Sequence, residues 1–214
     1  MSELTEAIKA GDESRVLEVL ERDPAAVRTA ENGVTPILFA LYYGKSELAR
    51  LLAERRGALS FAEACALGDR GRVEALLDED PRLLDARMED GFPPLGLAIF
   101  FRQPAIARVL IEHGADVNAA AENAQRVAPL HAAAAVQDNG TLALLLERGA
   151  DVNAKQQMDY TPLHGAASRG DVAAAKLLLA HGADRDARGS DGMTPADIAR
   201  KYGQGEFGDW LEKV

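Results

Sequence analysis

The chain has 214 residues, of which 47% are hydrophobic and 27% charged, a balance that is typical of a folded protein and excludes a disordered chain. Its formal net charge of −10 argues against nucleic acid as a partner, because binding a phosphate backbone needs clustered Lys and Arg side chains. No apolar run of about 18 residues is present, and charges occur throughout the N-terminal segment, so we expect no membrane partner and a cytoplasmic location.

The first half of the chain contains two related segments. The pattern GDxxRV occurs at residues 11–16 and again at 68–73, and an Asp-Pro pair follows at 23–24 and at 80–81. Pro36 corresponds in the same way to Pro94. We infer a tandem duplication of a two-repeat unit, roughly residues 1–58 and 59–116.

The connection between these two segments is unusually short. Residues 57–61, GALSF, leave no room for a turn-forming loop, and Ser60 with Glu63 has the spacing of a capping box that starts a helix. The only cysteine, Cys65, follows among alanines on an apolar helical stretch. It cannot form an internal disulfide, and a buried small hydrophobic residue is the simplest interpretation.

The second half of the chain repeats with a period of 33 residues, set by Pro129, Pro162 and Pro195. These prolines lie in the frames APLHAAA, TPLHGAA and TPADIAR, and GADVNA or GADRDA returns downstream at a constant phase. Thr caps a helix that Pro opens at its first turn, where a missing N–H costs nothing. Leu and Ala then form a narrow inner helix, and a longer outer helix follows and ends at a glycine such as Gly182.

The repeated motifs resemble those of the ankyrin repeat family over nearly the whole chain. The resemblance implies an all-α fold, a helical repeat solenoid in which stacked helix-turn-helix units carry β-turn fingers. It also implies one ankyrin repeat domain over residues 1–214, whose last repeat is a C-terminal cap with Phe207, Trp210 and Leu211 on one face. The approximate repeats are 1–31, 32–58, 59–90, 91–125, 126–157, 158–190 and 191–214.

The four histidines could suggest a catalytic or metal site, but their repetition in the sequence explains them. His131 and His164 take the fourth place of the TPLH frame, where the family uses the imidazole to hydrogen-bond backbone between adjacent fingers, and His113 and His181 each precede a helix-ending glycine. A metal site needs three or four converging ligands, whereas repeated residues spread along a solenoid. No Ser or Cys nucleophile motif is present. We therefore predict no catalytic residue, no metal and no cofactor, and no enzyme activity.

A surface for a partner is predicted at the ends of the inner helices. In the family pattern, the two residues before the glycine that follows the inner helix lie at the open end of the concave face. These pairs include Tyr42–Tyr43, Ala66–Leu67, Phe100–Phe101, Ala135–Val136 and Ser168–Arg169, and the fingertips add further apolar residues. The predicted partner-binding residues are Tyr42, Tyr43, Leu67, Phe92, Phe100, Phe101, Val136, Met158, Tyr160 and Arg169.

The predicted function is a protein–protein interaction scaffold that binds, and can inhibit or regulate, a partner protein through its concave face and fingers. An acidic chain favours a partner with an apolar segment and basic flanks. Self-association is the second hypothesis, in which the chain is a monomer or a weak homodimer, and a small-molecule binder is the third. One member of each aromatic pair can instead pack between repeats, and Phe100 or Phe101 can fill space beside Arg102, which stands where other repeats have glycine.

Overall fold

The computed structural model describes residues 1–88 and 91–214, and this part of the chain is all-α. The described residues form fourteen α-helices in seven consecutive pairs, with no β-strand. The pairs are α1 (Glu3–Ala10) with α2 (Glu13–Arg22), α3 (Pro36–Tyr42) with α4 (Ser46–Arg56), α5 (Phe61–Leu67) with α6 (Arg70–Glu79), α7 (Pro94–Phe100) with α8 (Pro104–Glu112), α9 (Pro129–Val136) with α10 (Asn139–Glu147), α11 (Pro162–Arg169) with α12 (Val172–Ala180), and α13 (Pro195–Lys201) with α14 (Gly205–Leu211). Short 3-10 helices lie at Pro24–Arg28, Pro81–Asp85 and Gln157–Asp159.

The duplicated motifs of the first half adopt matching local structure. Asp12 accepts a hydrogen bond at 2.9 Å from the third amide after it and caps α2, and Asp69 does the same at 3.0 Å for α6. Asp23 and Asp80 cap the two equivalent 3-10 helices through backbone amides at 3.0 and 3.1 Å. The sequence likeness is thus a likeness of capped helix starts.

The contact pattern divides the chain into two compact units, Met1–Pro94 (unit 1) and Leu95–Val214 (unit 2). In unit 1, the inner helices pack in the order α1, α3, α5, around buried side chains such as Ile8, Ile37 and Leu52. In unit 2, the inner helices α9, α11 and α13 pack in order, and the outer helices α8, α10 and α12 do likewise. The prediction of one domain over residues 1–214 stays a prediction.

Small residues let the inner helices approach one another, as the alanine-rich frames predict. Ala133 and Ala134 on α9, and Ala166 and Ala167 on α11, are fully buried. Cys65 on α5 is fully buried as well, and burial raises the pKa of its thiol to about 12. Cys65 is therefore a neutral, packed side chain, which confirms the interpretation of Cys65 as a small hydrophobic residue.

The short connection between α4 and α5 has the predicted capping box and an ion pair that the sequence analysis did not foresee. The Ser60 amide donates to Glu63 Oε2 at 2.9 Å, and the Glu63 amide donates to Ser60 Oγ at 3.4 Å. Arg56 Nε lies 2.7 Å from the same Glu63 oxygen, and the Glu63 side chain is completely buried. The junction thus depends on a buried charge pair.

The last helix pair is held together by buried, aromatic and charged contacts, and its role as a C-terminal cap stays a prediction. Phe207 and Leu211 of α14 are buried, and the Trp210 ring stacks on Phe207 with centroids 5.3 Å apart. Arg200 of α13 donates to Asp209 and Glu212 at 2.8 Å each, which ties α14 to its partner helix. Among the described helices, none has the length and apolar character needed to cross a bilayer.

Candidate partner-binding surface

Tight turns precede the inner helices and form the fingers that the repeat pattern implies. In unit 2, the amides of Gln156 and Gly189 donate across their own turns to the carbonyls of Tyr160 and Met193, both at 3.0 Å. Adjacent turns are also joined, because the Gln157 amide donates at 2.8 Å to the carbonyl of Gln125. The Ser190 amide likewise donates to the Met158 carbonyl at 2.8 Å. The three fingers of unit 2 form one hydrogen-bonded row.

The four histidines have structural roles, as their repetition implied. His131 Nε2 lies 3.1 Å from the carbonyl oxygen of Tyr160, and His164 Nε2 lies 3.1 Å from that of Met193, so each imidazole bonds the backbone of the next finger. His113 and His181 each place Nδ1 within 2.9 Å of the carbonyl four residues earlier in their own outer helix. Within residues 1–88 and 91–214, no three His, Cys, Asp or Glu side chains are grouped to hold a metal.

The two buried histidines differ at their second nitrogen. Nδ1 of His164 accepts from the Thr161 amide at 3.1 Å and lies 3.0 Å from the Thr161 hydroxyl. His131 has alanine at the equivalent position 128, and its buried Nδ1 has no hydrogen-bond partner among residues 1–88 and 91–214. Burial lowers the pKa of His131 to about 4, and lowers the pKa of His164 as well. Both imidazoles are therefore neutral at pH 7.

Restoring the missing hydroxyl is expected to stabilise the chain. Ala128→Thr places a donor beside Nδ1 of His131 and adds a helix cap, so we expect the free energy of unfolding to rise by about 1 kcal/mol in urea titrations. Thr161→Ala is the matched opposite change and should lower the free energy of unfolding by a similar amount. A decrease for Ala128→Thr would show that the hydroxyl does not reach the imidazole.

Asparagines join successive repeats and were not singled out from the sequence. Asp116 and Asp151 accept hydrogen bonds from the amides of Asn118 and Asn153 at 2.8 and 2.9 Å, so each aspartate forms a turn. The asparagine side chains then reach the next repeat, where Asn118 Oδ1 accepts from the Asp151 amide at 2.7 Å and Asn153 Oδ1 accepts from the Asp184 amide at 2.8 Å. The recurrence of these asparagines in the GADVNA motif could have indicated this role from the sequence.

The end of α3 in unit 1 presents both tyrosines at the surface. The Tyr42 and Tyr43 side chains are 37% and 43% exposed. Tyr42 is the last residue of α3, and Tyr43 has a non-helical ψ of 10°. Both tyrosines therefore lie where the helix ends and not along its buried face. The Tyr43 ring contacts that of Phe39 at 4.6 Å, and Lys9 Nζ of α1 lies 5.8 Å from the Tyr43 centroid. We call Lys9, Tyr42 and Tyr43 the tyrosine patch.

The corresponding position of unit 2 carries the second aromatic pair. Phe100 at the end of α7 is 46% exposed, whereas Phe101 is only partly exposed. The two rings meet edge to face with centroids 5.1 Å apart. Arg102 has the left-handed φ of 57° that glycines adopt at this position in other repeats. We call Phe100 and Phe101 the phenylalanine patch.

Three further predicted residues, Leu67, Phe92 and Tyr160, are only partly exposed. Leu67 at the end of α5 packs against the core of unit 1. Tyr160 is engaged within the fingers, because its hydroxyl donates to Asp191 Oδ2 at 2.7 Å and its ring stacks on His164 at 4.8 Å. These contacts leave each residue only part of its surface for a partner.

Met158 and Arg169 are exposed, but Val136 is not. Met158 lies at a fingertip with 45% of its side chain accessible, and Arg169 is exposed at the end of α11. Val136 is only 9% exposed, because α9 packs against both α10 and α11. The partner-binding role of Val136 stays a prediction, for which this enclosed side chain offers little contact area.

The fold is that of a repeat protein, in which paired helices alternate with finger turns and imidazoles bond the next finger. Helix ends and fingertips lie at its surface. A family model for ankyrin repeats, in three copies, matches residues 61–156 and 130–212. These matches cover more than half of the chain, and the chain belongs to the ankyrin repeat family. Ankyrin repeats are generic protein–protein interaction modules. The comparison with curated proteins found no match.

Proposed function

We propose that this chain binds a partner protein through the tyrosine patch of unit 1 and the phenylalanine patch of unit 2, with Met158 and Arg169 as further contacts. The observation that carries the proposal is the exposure of Tyr42, Tyr43 and Phe100 at equivalent helix ends. Binding would hold or regulate the partner. A cytoplasmic location and a monomeric or weakly dimeric state remain predictions.

The energetics of interfaces support aromatic helix ends as contact points. Exposed apolar patches on a monomer often mark interaction sites, because covering them removes apolar area from water. Tyrosine and phenylalanine offer large area with little side-chain entropy to lose, and aromatic residues carry much of the energy at interfaces. The edge-to-face contact of Phe100 with Phe101 holds both rings in a defined geometry before binding.

The cavities support a small-molecule binder less well than the exposed aromatic residues support a protein partner. A cavity of about 310 Å³ is lined by residues of α1, α2 and the following 3-10 segment, and one of about 700 Å³ lies beside α12 and α14. Neither cavity includes any of the ten predicted residues. The aromatic side chains therefore favour contact with a protein surface.

The test replaces one aromatic residue in each patch. We expect Tyr43→Ser with Phe101→Ser to weaken binding about tenfold or more to a partner captured from the native source, measured by titration against the purified partner. Val172→Ser is the matched control, because Val172 is an exposed apolar residue on the outer helix α12 and should leave the affinity unchanged. Thermal unfolding of each variant separates lost binding from lost folding.

Unchanged partner recovery by the double variant would overturn the proposal. Light scattering across a dilution series addresses self-association in the same experiment. A dimer that dissociates on dilution, and that the double variant abolishes, would assign the patches to a homodimer instead of a different protein.

A further inference from the structure

Two lysine side chains lie at the tyrosine patch, in a chain that is acidic as a whole. Lys9 Nζ lies 5.8 Å from the centroid of the Tyr43 ring. Lys45, two residues beyond Tyr43, extends over the end of α1, where its Nζ would lie 3.0 Å from a Cβ added at Gly11. Both ammonium groups are thus placed around the end of α1, beside the exposed tyrosines.

Neither ammonium group is neutralised by a carboxylate in the described ranges 1–88 and 91–214. Lys9 and Lys45 take part in no ion pair there, although acidic residues outnumber basic ones by 34 to 24 in the chain. Two acidic residues of these helix pairs are engaged with arginines, since Glu3 pairs with Arg22 at 2.8 Å and Glu47 pairs with Arg50 at 3.0 Å. The patch therefore keeps two positive charges available.

The C-terminal end of α1 can stabilise two nearby ammonium groups and still leave their N–H groups available to donate hydrogen bonds. The last carbonyls of α1 carry partial negative charge, which attracts nearby ammonium groups. Each ammonium has three donors, and an interaction with the helix dipole leaves them free to bind an anion. A carboxylate placed between them would form charge-assisted hydrogen bonds, which are stronger than neutral ones.

The charges beside the tyrosines should affect the affinity for a docked partner more than the net charge of the chain does. At physiological ionic strength, charges more than about 8 Å apart are largely screened, so most of the net charge of −10 acts only weakly on a group docked at the patch. Lys9 and Lys45, in contrast, lie beside the tyrosines. The sequence-based expectation of a partner with basic flanks rests on net charge alone.

We propose that the tyrosine patch binds a protein segment that carries a carboxylate next to a large apolar side chain. The apolar side chain covers the rings of Tyr42 and Tyr43, and the carboxylate binds the two lysines. This inference rests on the proposed function and specifies the chemistry of the partner in unit 1.

The experiment uses three fluorescent helical peptides with one common leucine face, flanked by Glu, Gln or Lys. Their affinities for the full chain are measured by fluorescence anisotropy at physiological salt. We expect the Glu-flanked peptide to bind about fivefold tighter than the Gln-flanked one, and the Lys-flanked peptide to bind most weakly. Lys9→Glu with Lys45→Glu should reverse that order. Lys155→Glu with Lys176→Glu changes the net charge equally in unit 2 and should preserve the order.

The outcomes separate this inference from the proposed function. Tighter binding of the Lys-flanked peptide by the unmodified chain would overturn the acidic preference while leaving an aromatic binding surface intact. Absence of binding by all three peptides, or binding that Tyr43→Ser does not weaken, would overturn both. Circular dichroism checks the folding of the charge-reversed variant, and Lys9→Gln with Lys45→Gln replaces it if it fails to fold.

Discussion

We expect Glu63→Ala to lower the free energy of unfolding by about 3 kcal/mol, measured in urea titrations at neutral pH. The Glu63 side chain is completely buried, and one of its oxygens accepts from the Ser60 amide and lies 2.7 Å from Arg56 Nε. Its removal leaves the guanidinium of Arg56, only 13% exposed, without its countercharge. Removing one partner of a buried ion pair costs far more than removing an exposed one, because the remaining charge cannot be rehydrated.

A second capping box in the same chain provides the matched control. The Thr194 amide donates to Asp197 Oδ2 at 2.9 Å at the start of α13, but the Asp197 side chain is nearly half exposed. Asp197→Ala should therefore cost less than about 1 kcal/mol. Glu63→Gln keeps an acceptor for the Ser60 amide and loses only the charge, so its effect should be intermediate. Equal effects of Glu63→Ala and Asp197→Ala would show that burial of the ion pair is unimportant.

We also expect the chain to lose about 2 kcal/mol of stability between about pH 7.5 and pH 5 through His131. The folded-state pKa of His131 is about 4, below the ordinary value of 6.5, so the unfolded chain binds more protons in this range. The stability due to neutral His131 is complete above pH 6.5 and is lost progressively as the pH falls toward 4. The lowered pKa of His164 acts in the same direction.

The measurement is the free energy of unfolding as a function of pH, with variants at a buried and an exposed histidine. His131→Gln should be less stable at neutral pH and should show a smaller slope between about pH 7.5 and pH 5. His181→Gln is the comparison variant, because the His181 side chain is exposed directly after α12. An unchanged slope for His131→Gln would mean that the acid sensitivity arises elsewhere.

Features that depend on residues a few positions apart could be predicted from the sequence alone. The period of 33 residues predicted the helix pairs of the second half, and the Ser60–Glu63 spacing predicted the capping box at the start of α5. The turns at Asp116 and Asp151 are local in the same way, since each aspartate side chain accepts from an amide two residues later. The exposure of Tyr42, Tyr43 and Phe100 followed from their places at helix ends, although their role in binding remains a proposal.

Contacts between residues about thirty positions apart could not be predicted from the sequence, because they form only when successive helix pairs pack together. Val136 has the same place in its repeat as Tyr43, yet packing of α9 against its neighbours encloses it. The unpaired Nδ1 of His131, like the lysines around Tyr43, depends on which side chains meet when helix pairs pack. The burial and the charged neighbours of a side chain depend on several packed repeats, and each repeat supplies only some of them. A periodic sequence therefore predicts the positions of side chains along each repeat but not the surroundings of each one.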